Sequence, residues 1–446
     1  MNVAVIGGDF RSCLIAKELR SHNFDVSFFY SDPLLGGFLN GVDIWEHNFD
    51  LGPQYLDNFT IQDKKLVESF GNGCELSDLS FSYSGFIQGK LYKENMALPP
   101  WNLVFNEKEL SLILKELLEV RNTGKNNKGN FNYSFHQLLH DQNGARLCEY
   151  LEKLCIKFYD ASSKILDSNA SEVIPFASKR HVLFDGETSN LLKTKFNFFD
   201  EILAAPKAFV SNTLFNYYPK YGYKKFFKSI TDHLQKIGVK LYPNEMIKSF
   251  DLIDDHHISC LSNKNGIKTF EKVFISFDER IAEKVILNSN SLEEHTNHVP
   301  QFFVYVEAPF GSLGNRNYIF DYDLRHSITR ITDLSYSNYS DKLTVLCAEV
   351  TAREDLKIMY KNSKREFFLK ILKELEEVIT SCTGKTIDLE GYSSHIVLSP
   401  KTYRLPKLGY NKAVNIVYED IQDKFKGKLK LYEWKHTRKE MIDSIK

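Results

Sequence analysis

The spacing of apolar and polar positions changes several times along the chain, and each change predicts an element. Residues 2–6, NVAVI, form a compact apolar run that predicts a strand, and a tight glycine turn follows at Gly7-Gly8-Asp9. In SCLIAKELRS (12–21), Leu14, Ile15, Leu19 and the small Ala16 fall at helical spacing. FDVSFFY (24–30) is aromatic and β-branched and predicts a second strand. Strand, glycine turn, helix and strand within so short a stretch make one βαβ unit with a right-handed crossover.

Further on, FSYSGFIQGKLY (81–92) reads as a hairpin. EKELSLILKELLEV (107–120) reads as an amphipathic helix with apolar residues at 110, 112, 113, 114, 117 and 118. RNTGKNNKGN (121–130) shows no periodicity and reads as a polar loop, with Lys125 and Lys128 solvated on it. Helical patterns dominate 135–175. Residues 223–253 read as helix, turn and strand, with Gly238 as the helix C-cap. Strand runs continue at 257–261, 272–277, 302–308 and 342–350. A second amphipathic helix is expected at 365–379, and AVNIVYEDIQDKF (413–425) and KLKLYEWKH (428–436) close the chain. Strands alternate with helices, so the class is α/β, and no repeat or long heptad array is evident.

Composition narrows the function. The 446 residues carry 57 Lys plus Arg against 58 Asp plus Glu, a net charge of -1, which argues against a dedicated nucleic-acid binder. No apolar run reaches membrane-spanning length and no charged-then-apolar leader opens the chain, so no membrane span is expected. The 7 cysteines contain no CxxC pair and read as reduced thiols of a cytoplasmic protein. Aromatic residues, at 13%, are numerous enough to line a cavity for a flat or sugar-like ligand, although genome-wide compositional bias is the simpler explanation.

The opening turn carries the clearest chemistry. A GxGxxG loop between strand and helix gathers backbone N–H groups around a diphosphate. Here the six residues are Gly7-Gly8-Asp9-Phe10-Arg11-Ser12, with Asp9 and Ser12 in the second and third glycine places. A carboxylate held about 6 Å from a phosphate costs about 3 kcal/mol at an effective dielectric near 20. Arg11 could offset part of this by reaching the phosphate or Asp9 itself. Tyr30 stands where an acidic residue normally holds a ribose hydroxyl, with Asp32 two positions later. From these residues alone, a bound dinucleotide and a dinucleotide-type fold without one are evenly balanced.

Longer segments add a resemblance. VAVIGG, VSFFYSDPLLGG (26–37), FDLGPQYLD (49–57) and SGFIQGKLYKENMALPPW (84–101) are similar, in order, to segments of the flavin amine oxidase, protoporphyrinogen oxidase and UDP-galactopyranose mutase superfamily. Residues 158–184, 217–241, 317–335, 343–351, 403–417 and 432–445 continue the likeness to the end of the chain. The resemblance implies a Rossmann-like dinucleotide-binding domain (ββα-type, parallel sheet) with an inserted mixed α+β substrate domain. It assigns 1–80, 210–280 and 395–446 to FAD, and 81–209 and 281–394 to a substrate lid.

It also implies roles. Gly7, Gly8, Arg11, Ser12 and Tyr30 fall on the FAD diphosphate turn and ribose site, Gly36 and Gly37 along the ribityl chain, and Gly52, Pro53 and Gln54 at the isoalloxazine. Gln54 stands in place of a histidine, and Leu429-Lys430 in place of a Gly-Arg pair beside the flavin. Arg330 falls near the family's active-site arginine, which faces a substrate phosphate in the sugar mutases, and Tyr403 and Tyr410 would line the same cavity. The implied activity is FAD-dependent oxidation or sugar-nucleotide rearrangement, with Arg330 and Gln54 as catalytic residues and a small molecule, such as a nucleotide sugar, as substrate. The departures cluster at flavin contacts, so the alternative is a homologue that has lost FAD and acts as a binding or partner subunit. A third option keeps a nucleotide in the turn, with Tyr30 stacked on adenine.

Other candidates are thin. His256-His257 has no third metal ligand and reads as an exposed loop pair, so no metal is expected. Cys148 and Cys155 read as core thiols. Asp321 and Asp323 share a strand face and read as solvated residues rather than an acid–base pair. There is no GxSxG, HExxH or P-loop.

Overall fold

The computed structural model describes residues 1–79, 82–94, 96–123, 133–204, 215–337, 340–432 and 445. Lys125 and Lys128 lie outside these residues, as does the end of the chain that was read with the last strand. The chain divides into two compact units, Met1–Leu79 with Thr213–His295 and Lys412–Lys446, and Ser80–Asn212 with Thr296–Asn411.

The first unit is built on a five-stranded parallel sheet in the order Lys240–Tyr242, Asp25–Phe29, Asn2–Ile6, Lys272–Ile275 and Leu429–Leu431. The central strand reads as one apolar run because it has neighbours on both edges and cover on both faces, leaving Val3, Ala4 and Val5 without exposure. The helix that follows, Phe10–Ser21, starts two residues earlier than the apolar spacing alone predicts, because Asp9 caps it. Cys13, Leu14, Ile15, Ala16 and Leu19 form its buried stripe. The helix Gly222–Lys236 ends at Ile237, and Gly238 follows at φ +88, the left-handed geometry for which glycine suits a helix terminus.

The second unit centres on a seven-stranded mixed sheet in the order Ser394–Pro406, Thr296–Pro309, Leu343–Thr351, Ile328–Asp333, Tyr318–Asp321, Tyr83–Ile87 and Lys90–Leu91. Side-chain alternation splits it into two cores. Phe302, Val304, Leu346 and Ala348 face the helix Lys364–Thr383 through Phe367, Ile371 and Leu375. Phe320 and Tyr322 face the opposite way, onto Leu151, Leu154 and Phe158 of the helix Phe135–Tyr159.

Two stretches fall in the other unit from the one the sequence assigned. Residues 281–295 belong to the first unit, and 395–411 to the second. The reason for the latter is strand pairing: Ser394–Pro406 forms a long antiparallel ladder with Thr296–Pro309. No helix among the described residues is long and apolar enough to cross a membrane.

Candidate functional site

The opening turn folds around Asp9. Its backbone is extended (φ -84, ψ 172), as an N-cap requires, and its carboxylate accepts several hydrogen bonds. Oδ1 accepts from Ser12 N at 2.9 Å, Ser12 Oγ at 2.8 Å and Ser276 Oγ at 2.9 Å. Oδ2 accepts from Arg11 Nε and Nη2, each at 2.8 Å. Ser276 follows the strand Lys272–Ile275, so residues far apart in sequence complete one anion cage.

The glycines around it do two different jobs. Gly7 has φ +137, and a Cβ there would sit 2.5 Å from the Ser276 carbonyl oxygen, so close packing against the neighbouring strand requires glycine. Gly8 is less constrained, its nearest neighbour being Tyr30 Cβ at 3.5 Å. The Gly36 N–H donates to the Gly8 carbonyl at 2.6 Å, and Gly37 opens a short 3-10 turn. Gly7, Gly8, Arg11, Ser12, Tyr30 and Gly36 are thus gathered in one place. Tyr30 is buried with its backbone tied to Tyr242 and Glu245, and burial pushes its hydroxyl pKa up.

Gly52 is buried at φ +70, and Gln54 turns its amide back onto the Leu51 carbonyl at 2.9 Å. Leu429 and Lys430 lie in the edge strand of the parallel sheet, where burial lowers the Lys430 pKa.

These residues do not fit an FAD diphosphate docked in the family's manner. The Ser12 N–H at the N-terminus of the first helix, and Nε and Nη2 of Arg11, already serve a carboxylate of the chain itself. A diphosphate would have to displace Arg11 and then face Asp9.

Arg330, in the second unit, is held in a comparable way. It lies on Ile328–Asp333, directly across the antiparallel register from Glu349 on Leu343–Thr351. Nε donates to Glu349 Oε1 and Nη2 to Oε2, both at 2.8 Å, which is a bidentate pair. The Tyr403 hydroxyl accepts from Nη2 at 3.0 Å and donates to Glu349 Oε2 at 2.9 Å. Glu349 is 1% exposed. Although burial opposes its charge, the nearby carboxylate raises the Arg330 pKa above its ordinary value; burial raises the phenols of Tyr159 and Tyr403.

A cavity of 130 Å³ opens beside this trio, lined by Phe158, Tyr159, Phe320 and Thr329 among others. Tyr403 lines it. Tyr410 does not, and instead begins the helix Tyr410–Phe425. Neither Glu349 nor Ser276 was singled out from sequence. For Glu349 the signal was a lone carboxylate in the apolar run LTVLCAEV.

The reading of Asp321 and Asp323 as solvated is overturned: they are 0% and 1% exposed. The helix Phe135–Tyr159 covers that face and inserts Lys157, whose Nζ donates to the Asp321 and Asp323 carbonyls at 2.6 Å and to Asp321 Oδ1 at 3.1 Å. His326 bridges Asp321 Oδ2 (2.7 Å) and Glu377 Oε2 (3.2 Å). Burial alone would raise the Asp323 pKa, but hydrogen bonds from Arg325 and the Gly89 N–H hold it down at about 2. Asp323, His326 and Glu377 are close enough to share a metal ion, yet the Arg325 guanidinium already bridges both carboxylates, at 2.6 and 2.8 Å. His256 and His257 sit on an exposed turn beside Asp254.

No family model matches the chain, and no curated protein matches it by sequence. Solved structures do match by shape. A reduced UDP-galactopyranose mutase aligns with a TM-score of 0.67 at 12% identity, over 96% of this chain and 87% of that one. A protein assigned as a protoporphyrinogen oxidase, from Exiguobacterium sp. 255-15, gives 0.63 at 13%, over 100% and 96%. A putrescine oxidase bound to putrescine gives 0.61 at 13%, over 97% and 93%. Likeness at this identity establishes the fold alone. The chain shares the fold of these three proteins, built on a parallel sheet and a large mixed sheet.

Proposed function

We propose that this chain keeps the flavoenzyme fold without holding FAD, and acts as a non-catalytic binding or partner subunit. One observation carries the reading: the Asp9 carboxylate occupies the Ser12 N–H at the N-terminus of the first helix, with Arg11 folded onto it. A diphosphate placed about 6 Å from that carboxylate meets about 3 kcal/mol of repulsion at an effective dielectric near 20. That repulsion applies once Arg11 turns to the diphosphate; while Arg11 stays on Asp9 the pair is neutral and the diphosphate lacks that arginine.

A second reading keeps the activity that the fold neighbours suggest, an FAD-dependent oxidoreductase or mutase acting on a nucleotide sugar. Arg330 and Gln54 would then be catalytic and Tyr403 and Tyr410 would hold substrate. Gly7, Gly8, Arg11, Ser12, Tyr30, Gly36, Gly37, Gly52, Pro53 and Lys430 would contact FAD. It is favoured by the open space at Gly37, where an added Cβ would meet nothing within 4 Å.

The test is the colour of the purified full-length protein and its titration with FAD. The first reading expects a colourless protein without saturable FAD binding. A yellow protein that releases stoichiometric FAD on denaturation would establish the second.

A further inference from the structure

The cavity beside Arg330 was expected to hold a substrate phosphate, and its charge balance points elsewhere. The guanidinium is matched one to one by the buried carboxylate of Glu349, through two parallel hydrogen bonds. The site is therefore neutral before any ligand arrives. A phosphate or carboxylate placed there would add a second negative charge next to Glu349 and find no uncompensated cation among the lining residues. No lining group changes this near neutral pH, because the Tyr159 and Tyr403 phenols are both pushed up by burial.

Some donors remain. Nε and Nη2 of Arg330 are committed to Glu349 and Tyr403, whereas Nη1 makes no hydrogen bond among the described residues. The Thr329 hydroxyl donates to the Glu349 carbonyl at 3.0 Å, so it is also engaged. What the lining offers a ligand is therefore uncharged-acceptor chemistry, the Arg330 N–H pair and the Tyr159 hydroxyl, beside aromatic faces. The Phe320 ring centroid lies 5.7 Å from the guanidinium carbon, and Phe158 and Tyr159 add further ring surface. The volume of 130 Å³ is comparable with the roughly 150 Å³ of an apolar cavity that takes benzene.

We propose that the Arg330 cavity binds a small uncharged planar ligand, about one ring in size, through a carbonyl-type acceptor on Arg330 Nη1, and discriminates against phosphates and carboxylates. The ring would pack on Phe158, Tyr159 and Phe320 while Glu349 enforces neutrality. Every residue named lies within the second unit.

The test is a matched pair of probes with one shape and different charge: benzamide and benzoate, with inorganic phosphate as a third. Binding to the full-length protein is measured by isothermal titration and saturation-transfer NMR. The expected result is saturable benzamide binding, with benzoate and phosphate at least tenfold weaker. Arg330→Met should abolish benzamide binding, and Glu349→Gln should invert the order of benzamide and benzoate. The proposal is overturned if benzoate or phosphate binds the wild-type protein as well as benzamide does. It is equally overturned if no probe binds at millimolar concentration, or if a folded Arg330→Met protein still binds benzamide. The wild-type comparison decides by itself should either variant fail to fold.

Discussion

Replacing Asp9 by Asn removes one negative charge from the opening turn while keeping a side chain that caps helices as well as Asp does. In the wild type, Asp9 accepts from Ser12 N, Ser12 Oγ, Ser276 Oγ and Arg11, at 2.8 to 2.9 Å. Asn keeps an oxygen for the Ser12 N–H and gives up the ion pair with Arg11. The stability lost should be about 1 kcal/mol, because the Asp9 side chain is 33% exposed and exposed ion pairs contribute little.

The effect on a diphosphate ligand is larger. Freeing Arg11 for the phosphate without leaving a bare carboxylate behind is worth at most about 3 kcal/mol, up to about a hundredfold in affinity. FAD fluorescence titration at low salt reads this directly, with ADP as a second ligand lacking the flavin. Asp9→Gly should give a similar gain. Adding Arg11→Ala to Asp9→Asn should take back about tenfold, and salt should shrink the gain by screening. Folded Asp9→Asn and Asp9→Gly proteins whose FAD and ADP affinities match the wild type would refute the electrostatic argument.

Other consequences concern stability. Arg330→Met strands a carboxylate that is 1% exposed, and should cost about 3–5 kcal/mol in urea denaturation. The double change Arg330→Met/Glu349→Leu should recover most of this, and failure to recover would mean the pair is not the cause. His181, buried between the Trp101 indole N–H and Asn143, is held by burial to a pKa of about 3. The native state then binds one proton fewer than the unfolded state below about pH 6.5, so stability should fall by about 1.4 kcal/mol per pH unit from there toward pH 3. In urea melts across that range, a slope unchanged by His181→Gln would contradict this. Asp323, held down at about 2, contributes about 2 kcal/mol above about pH 4, lost as pH falls through 2. Asp323→Asn should remove that contribution, and an acid limb identical to the wild type would count against it.

Much of the architecture was legible because it is written in local periods. The first strand, turn, helix and second strand followed from NVAVI, the glycines and the Leu14/Leu19 stripe. The amphipathic helix read over 365–379 occupies Lys364–Thr383. Asp9 was visible as an anomaly, but its role was not, since Ser276 stands 267 positions away. Asp321 and Asp323 were misplaced because alternation along a strand tells which residues share a face and not what covers it. Here the cover is a helix carrying Lys157, 164 positions from Asp321. Residues 395–411 were given to the wrong unit because a long strand can be recognised locally while its pairing partner cannot.

By itself, the order of residues determined the element types, the parallel βαβ opening and the presence of a carboxylate where a dinucleotide turn needs a glycine. These depend on neighbours a few positions apart, whose backbone geometry and burial repeat with short periods. Only the tertiary structure decided where each charge is satisfied: Asp9 by Ser276 and Arg11, Arg330 by Glu349 and Tyr403, Asp321 by Lys157 and His326. Electrostatic pairing acts through space at a few ångströms, and strand register and helix packing choose those neighbours across hundreds of residues of chain.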